Sequence, residues 1–428
     1  MAGCRTYENP FQTMAGPVPV AAEAPPPATL PPQPWRGVDA TTGQIADVEG
    51  LEELGEDFPN SSSVRLRLLN AHIAAEQWPA ALGMGERLVA EGYAFSPAAR
   101  EYLTGIVQTG VIPGWLGLAE RNGEPVTASD VAAEISDGAL LPEAVLYDPA
   151  NDRLLVTTIV SRGLFVRDGQ EDWRQVPIAG AGSLGGIALD ERRGLVWLGS
   201  GVVDPTPEPE TAFRGMIAVD RSTLEVRRRV AVPADATISD IAVGPDGTVY
   251  GSDPIGGGVW TATLTDTAMT PLIAPGTFRS PQGLAVRPDG RSLFVSDYRY
   301  GLAVVTLPSR QVYRVQSEVP ALLDGVDGLW LHGNELVVVQ NGLSPHRIVA
   351  FELGGGIGTI IGQRVLEAAN PGWTEPLGGA ITAGALYYIG NGSWDLFGEG
   401  GALNEGAELR QTQVRRLDLA QYPASSPQ

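Results

Sequence analysis

One hairpin pattern occurs six times in the last two thirds of this sequence, and that repetition limits the fold more than any other feature. Each copy has a small or polar residue, an apolar alternation, a turn, and a second β-type run. The copies are EAVLYDPANDRLLVT from Glu143, GGIALDERRGLVWLGS from Gly185, SDIAVGPDGTVYGSD from Ser239, QGLAVRPDGRSLFVSD from Gln282, DGLWLHGNELVVVQN from Asp327 and LGGAITAGALYYIGN from about Leu377. Successive starts are 42, 54, 43, 45 and 50 residues apart. Period-two alternation marks half-buried strands, and about four strands per repeat of this length is the signature of a β-propeller. Two stacked sandwiches would not repeat one hairpin six times. The expected fold class is therefore mainly β: a six-bladed β-propeller over 139–418, preceded by a small α-helical hairpin segment.

Five copies leave room for four strands each. In the fourth these fall near 282–287, 292–296, 302–307 and 311–316. The sixth runs short, with strands near 379–382, 385–389 and 411–418 before a Pro/Ser tail at 419–428. The segment at 130–136, within a linker at 111–138, is expected to supply the missing strand, because an open edge is a liability. Upstream, residues 41–110 read as helical. Leu66, Leu68, Leu69, His72 and Ile73 follow a helical period, Trp78-Pro79 breaks it, and Ala80, Ala81, Met84, Leu88 and Val89 resume it up to Gly92. This stretch resembles one tetratricopeptide repeat, with a protein partner as one use for it and packing on the rest of the chain as the other. His72 is expected to be a satisfied core histidine.

The first 40 residues read as a disordered tether, with nine prolines in 1–35. The opening Met1-Ala2-Gly3-Cys4 matches the end of a bacterial lipoprotein signal. On that reading Cys4 carries a lipid anchor and the protein sits at the cell envelope or in the periplasm; a chance match leaves it cytoplasmic. Neither reading includes a transmembrane segment, since no run approaches the roughly 18 apolar residues of a spanning helix.

Composition narrows the chemistry. Fifty acids against 29 bases give a net charge of −21, which makes nucleic acid and anionic membrane surfaces poor partners. All the bases are arginine, which removes phosphate-loop nucleotide binding, Schiff-base chemistry and Ser-Lys catalysis. One cysteine allows no internal disulfide, and a three-histidine zinc site would consume His72, His332 and His346, every histidine present. A catalytic metal here should be a hard cation held by oxygen.

The residues that begin the six copies occupy homologous places at one mouth of a propeller channel. Glu143, Gly185, Ser239, Gln282, Asp327 and Leu377 or Gly378 form a ring in which two carboxylates, an amide and a hydroxyl converge. Such a ring is an oxygen cage for Ca²⁺ or a similar ion, or a set of polar groups that solvates a water-filled channel. The loops at 201–214 and 391–409 are expected to overhang this mouth from either side of the blade that carries Glu143. Tyr298-Arg299-Tyr300, Arg162 and Trp394 reach the same face. Asp253 and Asp297 repeat without a central position and read as turn acceptors. Ser183 has Ala181 where a nucleophile elbow needs glycine, two positions before the serine.

Over about 139–418 these features resemble the senescence marker protein, gluconolactonase and luciferin-regenerating enzyme family. Pro142-Glu143-Ala144 stands where that family has Glu-Gly-Pro, Pro281-Gln282-Gly283-Leu284 where it has Asn-Gly-Leu, and Val326-Asp327-Gly328 where it has Pro-Asp-Gly. The resemblance implies a divalent cation, Ca²⁺ foremost with Mg²⁺, Mn²⁺ or Zn²⁺ as alternatives, held by Glu143, Gln282 and Asp327. It places Ser239 where the family has a further substrate-binding asparagine. Gln282 keeps the carbonyl oxygen but adds a methylene.

Two functions compete. The first is a metal-dependent hydrolase of a lactone or related ester, with Asp240 as proton acceptor and Ser239, Arg299 and Trp394 on the small-molecule substrate. The second is a non-catalytic, envelope-tethered propeller scaffold that binds a protein or small-molecule partner.

Overall fold

The computed structural model describes residues 30–39, 41–105 and 114–421. Cys4 and residues 106–113 and 422–428 lie outside the described residues. Among the described residues, no helix is long and apolar enough to cross a membrane.

The protein is mainly β, built from six sheets of four or five strands taken in order along the chain. The first sheet runs Pro142–Asp148, Arg153–Thr158, Gly163–Asp168 and Arg174–Pro177. The second begins at Ser183–Asp190, the third at Ile241–Val243, the fourth at Pro281–Val286, the fifth at Val326–His332 and the sixth at Gly379–Thr382. Consecutive strands within each sheet pair antiparallel, as short turns between them require. The first strand of each sheet lies against the first strand of the next, and that of the sixth lies against the first.

Glycines set how closely those inner strands approach. A Cβ on Gly185 would lie 2.6 Å from the Ser239 carbonyl oxygen, and one on Gly283 would lie 2.8 Å from that of Asp327. Between the sheets, aliphatic side chains such as Leu146, Leu155, Ile187, Val196 and Leu198 form layers with almost no exposure.

The sixth sheet takes its outer strand from upstream. Asp130–Glu134 pairs antiparallel with Gln413–Asp418, so segments nearly 300 residues apart share one sheet. A buried polar network fixes the junction. Glu367 is fully buried; its Oε1 accepts from the Ser129 hydroxyl at 2.9 Å and from the Asn370 amide, and its Oε2 accepts from the Tyr388 hydroxyl at 2.9 Å. Arg415 donates to Ser129 Oγ at 2.8 Å and to the Ser129 carbonyl at 2.9 Å.

Among the described residues, five α-helices precede the sheets: α1 (Val48–Asp57), α2 (Ser62–Ala74), α3 (Trp78–Ala90), α4 (Pro97–Gly105) and α5 (Trp115–Asn122). Asp47 caps α1, Ser61 caps α2, and Pro79 sits in the first turn of α3 where no intrahelical donor is lost. The helices α2 and α3 pack together, and α5 packs on α3. His72 is buried, with Nδ1 2.7 Å from Gln77 Oε1. The apolar faces of the helices are covered by the β body. Leu69, Leu88 and Ala119 meet Leu322 and Leu343 at the fifth sheet.

Three sequence expectations need revision. The tether does not extend to residue 40: Gln33–Pro34 adds to the fourth sheet, and Trp35 packs edge-on to Phe58 and tilted against Phe278 at ring separations of 5.0 and 5.2 Å. Its indole N–H donates to the Thr277 carbonyl at 3.1 Å. Burying one indole outweighs the poor ladder chemistry of the neighbouring prolines. The linker at 111–138 contains α5, because Leu116 and Ala119 have an apolar face to cover. The tail at 419–428 is docked at its start, where Leu419 is buried and its N–H donates to Gly384.

Candidate functional site

Four of the six inner strands share an irregularity at the positions read as a ring. Pairing with the second strand shifts register between Pro142 and Val145, Leu184 and Ile187, Pro281 and Leu284, and Val326 and Gly328. A bulge of this kind leaves residues unpaired and re-aims their side chains. Glu143, Gly185, Gln282 and Asp327 all sit inside such shifts. Hydroxyls from second strands serve the freed backbone groups: Ala144 N–H donates to Thr157 Oγ1 and Asp240 N–H to Ser252 Oγ, each at 3.1 Å. The bulge thus recurs in four of the six sheets, while the first strands of the third and sixth sheets, Ile241–Val243 and Gly379–Thr382, pair without a shift.

Four carboxyl groups act on one another there: Glu143, Asp240, Asp327 and Glu375. Each is half-buried. Burial raises Asp327 to about 6, against the opposing hydrogen bond from Asn341 Nδ2 at 3.0 Å. Burial and then Asp327 push Glu143 well above the usual carboxylate range, while the Trp394 indole N–H, 2.9 Å from Glu143 Oε2, pulls it back. Asp240 rises to about 7 through burial, opposed by the Ile241 N–H at 2.8 Å and reinforced by Asp327. Glu375 rises to about 7 for burial and for the charges of Asp327 and Asp395. Among the described residues, no arginine forms an ion pair with any of the four.

Asn341 fixes the Asp327 side of the cluster. Its Nδ2 donates both to Asp327 and to the Pro376 carbonyl at 3.0 Å, while its Oδ1 accepts from the Tyr298 hydroxyl at 2.9 Å. Two long loops cover the Glu143 side. Trp394 opens a short turn in the loop that follows Ala385–Ile389 in the sixth sheet. Gly400 N–H of that loop donates to the Asp204 carbonyl of the second-sheet loop at 2.9 Å. Phe397 packs with Leu141, Ile159 and Val160 of the first sheet, and Val203 joins them. The loops of sheets two and six therefore meet above the sheet that carries Glu143.

The remaining expected residues divide. Ser239 is half-buried just ahead of the first strand of the third sheet, and Asp240 beside it joins the carboxyl cluster. The Gln282 amide is turned to Ser280 Oγ at 3.3 Å. Arg299 departs from the ring and lines a separate cavity with Arg67 and Arg279. Arg162 ties loops together, donating to the Ala181 and Pro207 carbonyls at 2.8 Å each. Asp253 accepts from the Gly256 N–H at 2.9 Å and Asp297 from the Arg279 N–H at 2.6 Å, as turn acceptors do. Ser183 Oγ donates to the Ile159 carbonyl. Glu375 and Asn341 do not start a repeat and so carry no repeat signal; Asn341 follows directly on a second strand, one residue past Gln340, which holds the place of Asp297 in the preceding repeat. Among the described residues, no three His, Cys, Asp or Glu side chains form a ready cation-binding group.

No protein-family model matches the chain, and no curated protein matches it in sequence. Solved structures that resemble it include a gluconolactonase from Xanthomonas campestris, at 14% identity over 69% of this chain and 97% of that one, with a TM-score of 0.45. The calcium-binding protein regucalcin from Agrobacterium tumefaciens is 15% identical over 67% and 93%, with a TM-score of 0.44. A luciferin-regenerating enzyme is 12% identical over 68% and 95%, also at 0.44.

Proposed function

We propose that the six sheets are the blades of a six-bladed β-propeller with a helical cap, and that its carboxyl-lined mouth hydrolyses a lactone or related ester with a divalent cation. The observation that carries the reading is the convergence of Glu143 and Asp327, turned by matching bulges to one mouth and faced by further carboxyls instead of arginines. Such a set repels itself and suits a hard cation. The carboxylates of Glu143 and Asp327 would hold it, with the amide oxygen of Gln282 and water completing the shell. When bound, the ion would act as a Lewis acid on a carbonyl oxygen.

The chain's own groups have separable tasks. Trp394 and Asn341 hold the two carboxylates in place through one hydrogen bond each. Asp240, raised to about 7, stands where a carboxyl both accepts and releases a proton near neutral pH. Ser239 is next to it on the ring and faces substrate in this reading. The joined loops restrict entry and keep bulk water from the mouth. The helices read as a lone tetratricopeptide-like pair with additions, used as a strut, since their apolar faces already cover the fourth and fifth sheets.

The test is thermal melting with millimolar Ca²⁺, Mg²⁺, Mn²⁺ or Zn²⁺ against a chelator, followed by a panel of lactones. A cation that binds only the folded state adds about 2.7 kcal/mol at a hundredfold excess over its Kd. An ion-dependent rise, with lactone turnover that Asp240→Asn removes, supports the hydrolase. If no ion shifts the melting point and no lactone is opened, the reading fails and a non-catalytic scaffold replaces it.

A further inference from the structure

Away from the channel mouth, a cavity of about 220 Å³ lies between α2 and the fourth sheet. Three of its walls are arginines: Arg67 from α2, Arg279 from the segment before Pro281–Val286, and Arg299 from the turn after Ser292–Asp297. Ser63 and Tyr300 complete the lining that matters here. Ser63 and Arg67 are four residues apart on one helix and so share a face.

This concentration of positive charge is unusual in a protein of net charge −21. Among the described residues, eleven other arginines form ion pairs with carboxylates, including Arg36, Arg65 and Arg221. Arg67, Arg279 and Arg299 form none. The Arg67 guanidinium donates to the backbone carbonyls of Thr42, at 3.2 Å, and Ile45. The guanidiniums of Arg279 and Arg299 have no hydrogen-bond partner among the described residues.

The walls are held firmly even so. The buried carboxylate of Asp297 accepts the backbone N–H groups of Arg279, Arg299 and Tyr300 at 2.6, 3.1 and 3.3 Å. Its lone pairs are spent on the backbones that carry the arginines and leave their side chains unneutralised. Tyr300 is anchored by Phe58, with ring centroids 4.8 Å apart. The α2 side is pinned by Asp324, which accepts from the N–H groups of Ser62 and Ser63 at 2.9 and 2.8 Å. The backbones that carry three like charges are thus held around one cavity by the two parts of the fold that meet there.

We propose that this cavity binds a small dianion of the phosphate class, either free phosphate or the phosphoryl group of a small ester. Guanidinium forks match phosphate oxygens in pairs, and two negative charges answer three arginines without an ion pair, two of them also without a hydrogen-bond partner, better than one carboxylate does. The overall negative field argues against a polyanion such as nucleic acid. Because the walls come from both the helices and the fourth sheet, the bound anion also fastens the helical cap to the β body. The site is independent of the carboxyl cluster and of any hydrolase activity.

The experiment is thermal melting and titration calorimetry of the whole chain with inorganic phosphate at constant ionic strength, with glycerol phosphate and acetate as parallel arms. The wild type should give a saturable rise in melting temperature with phosphate or the ester, and none with acetate. Whichever of the two saturates at lower concentration identifies the source. The double variant Arg279→Gln/Arg299→Gln changes two exposed side chains. It should fold normally and keep only the gradual, non-saturating rise that excluded salts produce. Phosphorus NMR line broadening by the wild type reads binding without any variant. An identical phosphate response in wild type and variant, or a phosphate line that the wild type leaves sharp, overturns the proposal.

Discussion

Replacing Asp327 with Asn should make the cation-free protein more stable at alkaline pH, although it removes a side chain proposed to hold the ion. Burial raises Asp327 from 3.8 to about 6, a shift of roughly two units. At about 1.36 kcal/mol per unit, ionising it in the fold costs about 3 kcal/mol more than in the unfolded chain. Asparagine keeps an oxygen for the Asn341 donor and removes the charge that also acts on Glu143, Asp240 and Glu375. Partial solvent access and the weaker neutral hydrogen bond reduce the gain to about 1–3 kcal/mol. That is a few degrees of melting temperature in a chain of this size. Because the folded value is the higher one, the folded wild type binds more protons than the unfolded chain between about pH 4 and 6. Its stability therefore falls as pH rises through that window. The gap between variant and wild type should be absent near pH 4, open through pH 6 and widen further as Asp240 and Glu375 ionise near pH 7 against the Asp327 charge. Melting curves from pH 4 to 8.5 in chelator measure this directly. A variant that melts at or below the wild type at pH 8, or a gap that ignores pH, would show that the carboxyls do not strain the mouth as argued.

Other outcomes follow from single contacts. Trp35→Ala should cost about 3–5 kcal/mol, read by denaturant unfolding, because the indole is packed between Phe58 and Phe278. Glu367→Ala should cost about 3 kcal/mol or more and expose the Asp130–Glu134 strand to amide exchange, since it strands the donors of Ser129, Asn370 and Tyr388. Trp394→Phe removes the one donor that lowers Glu143, so the acid limb of any pH–activity profile should move to higher pH with little change in melting temperature.

What the sequence determined by itself is the repeated part of this protein. A hairpin that alternates apolar and polar residues with a turn at a fixed place specifies its own local structure, and six copies reveal which positions are equivalent. Glu143, Gln282 and Asp327 could be matched as equivalent positions for that reason, and the shortfall in the sixth copy that Asp130–Glu134 fills was legible too. Even the loop around Trp394 could be placed by its length and its blade. Tertiary structure alone decided whatever depends on one element meeting another that carries no matching pattern. Glu375 and Asn341 join the carboxyl cluster from the approach to the sixth sheet and from the end of a second strand, so no periodicity marks them. Trp35 looked like part of a tether because its proline-rich neighbours dominate the local signal, while the ring partners that bury it lie 23 and 243 residues away. Arg299 read as a residue of the channel face until the turn held by Asp297 carried it toward Arg67 on α2. Local pattern encodes strands, turns and equivalent positions. Which charges end up facing one another is settled by packing between distant segments, and in this protein that packing made both the acidic mouth and the arginine-lined cavity.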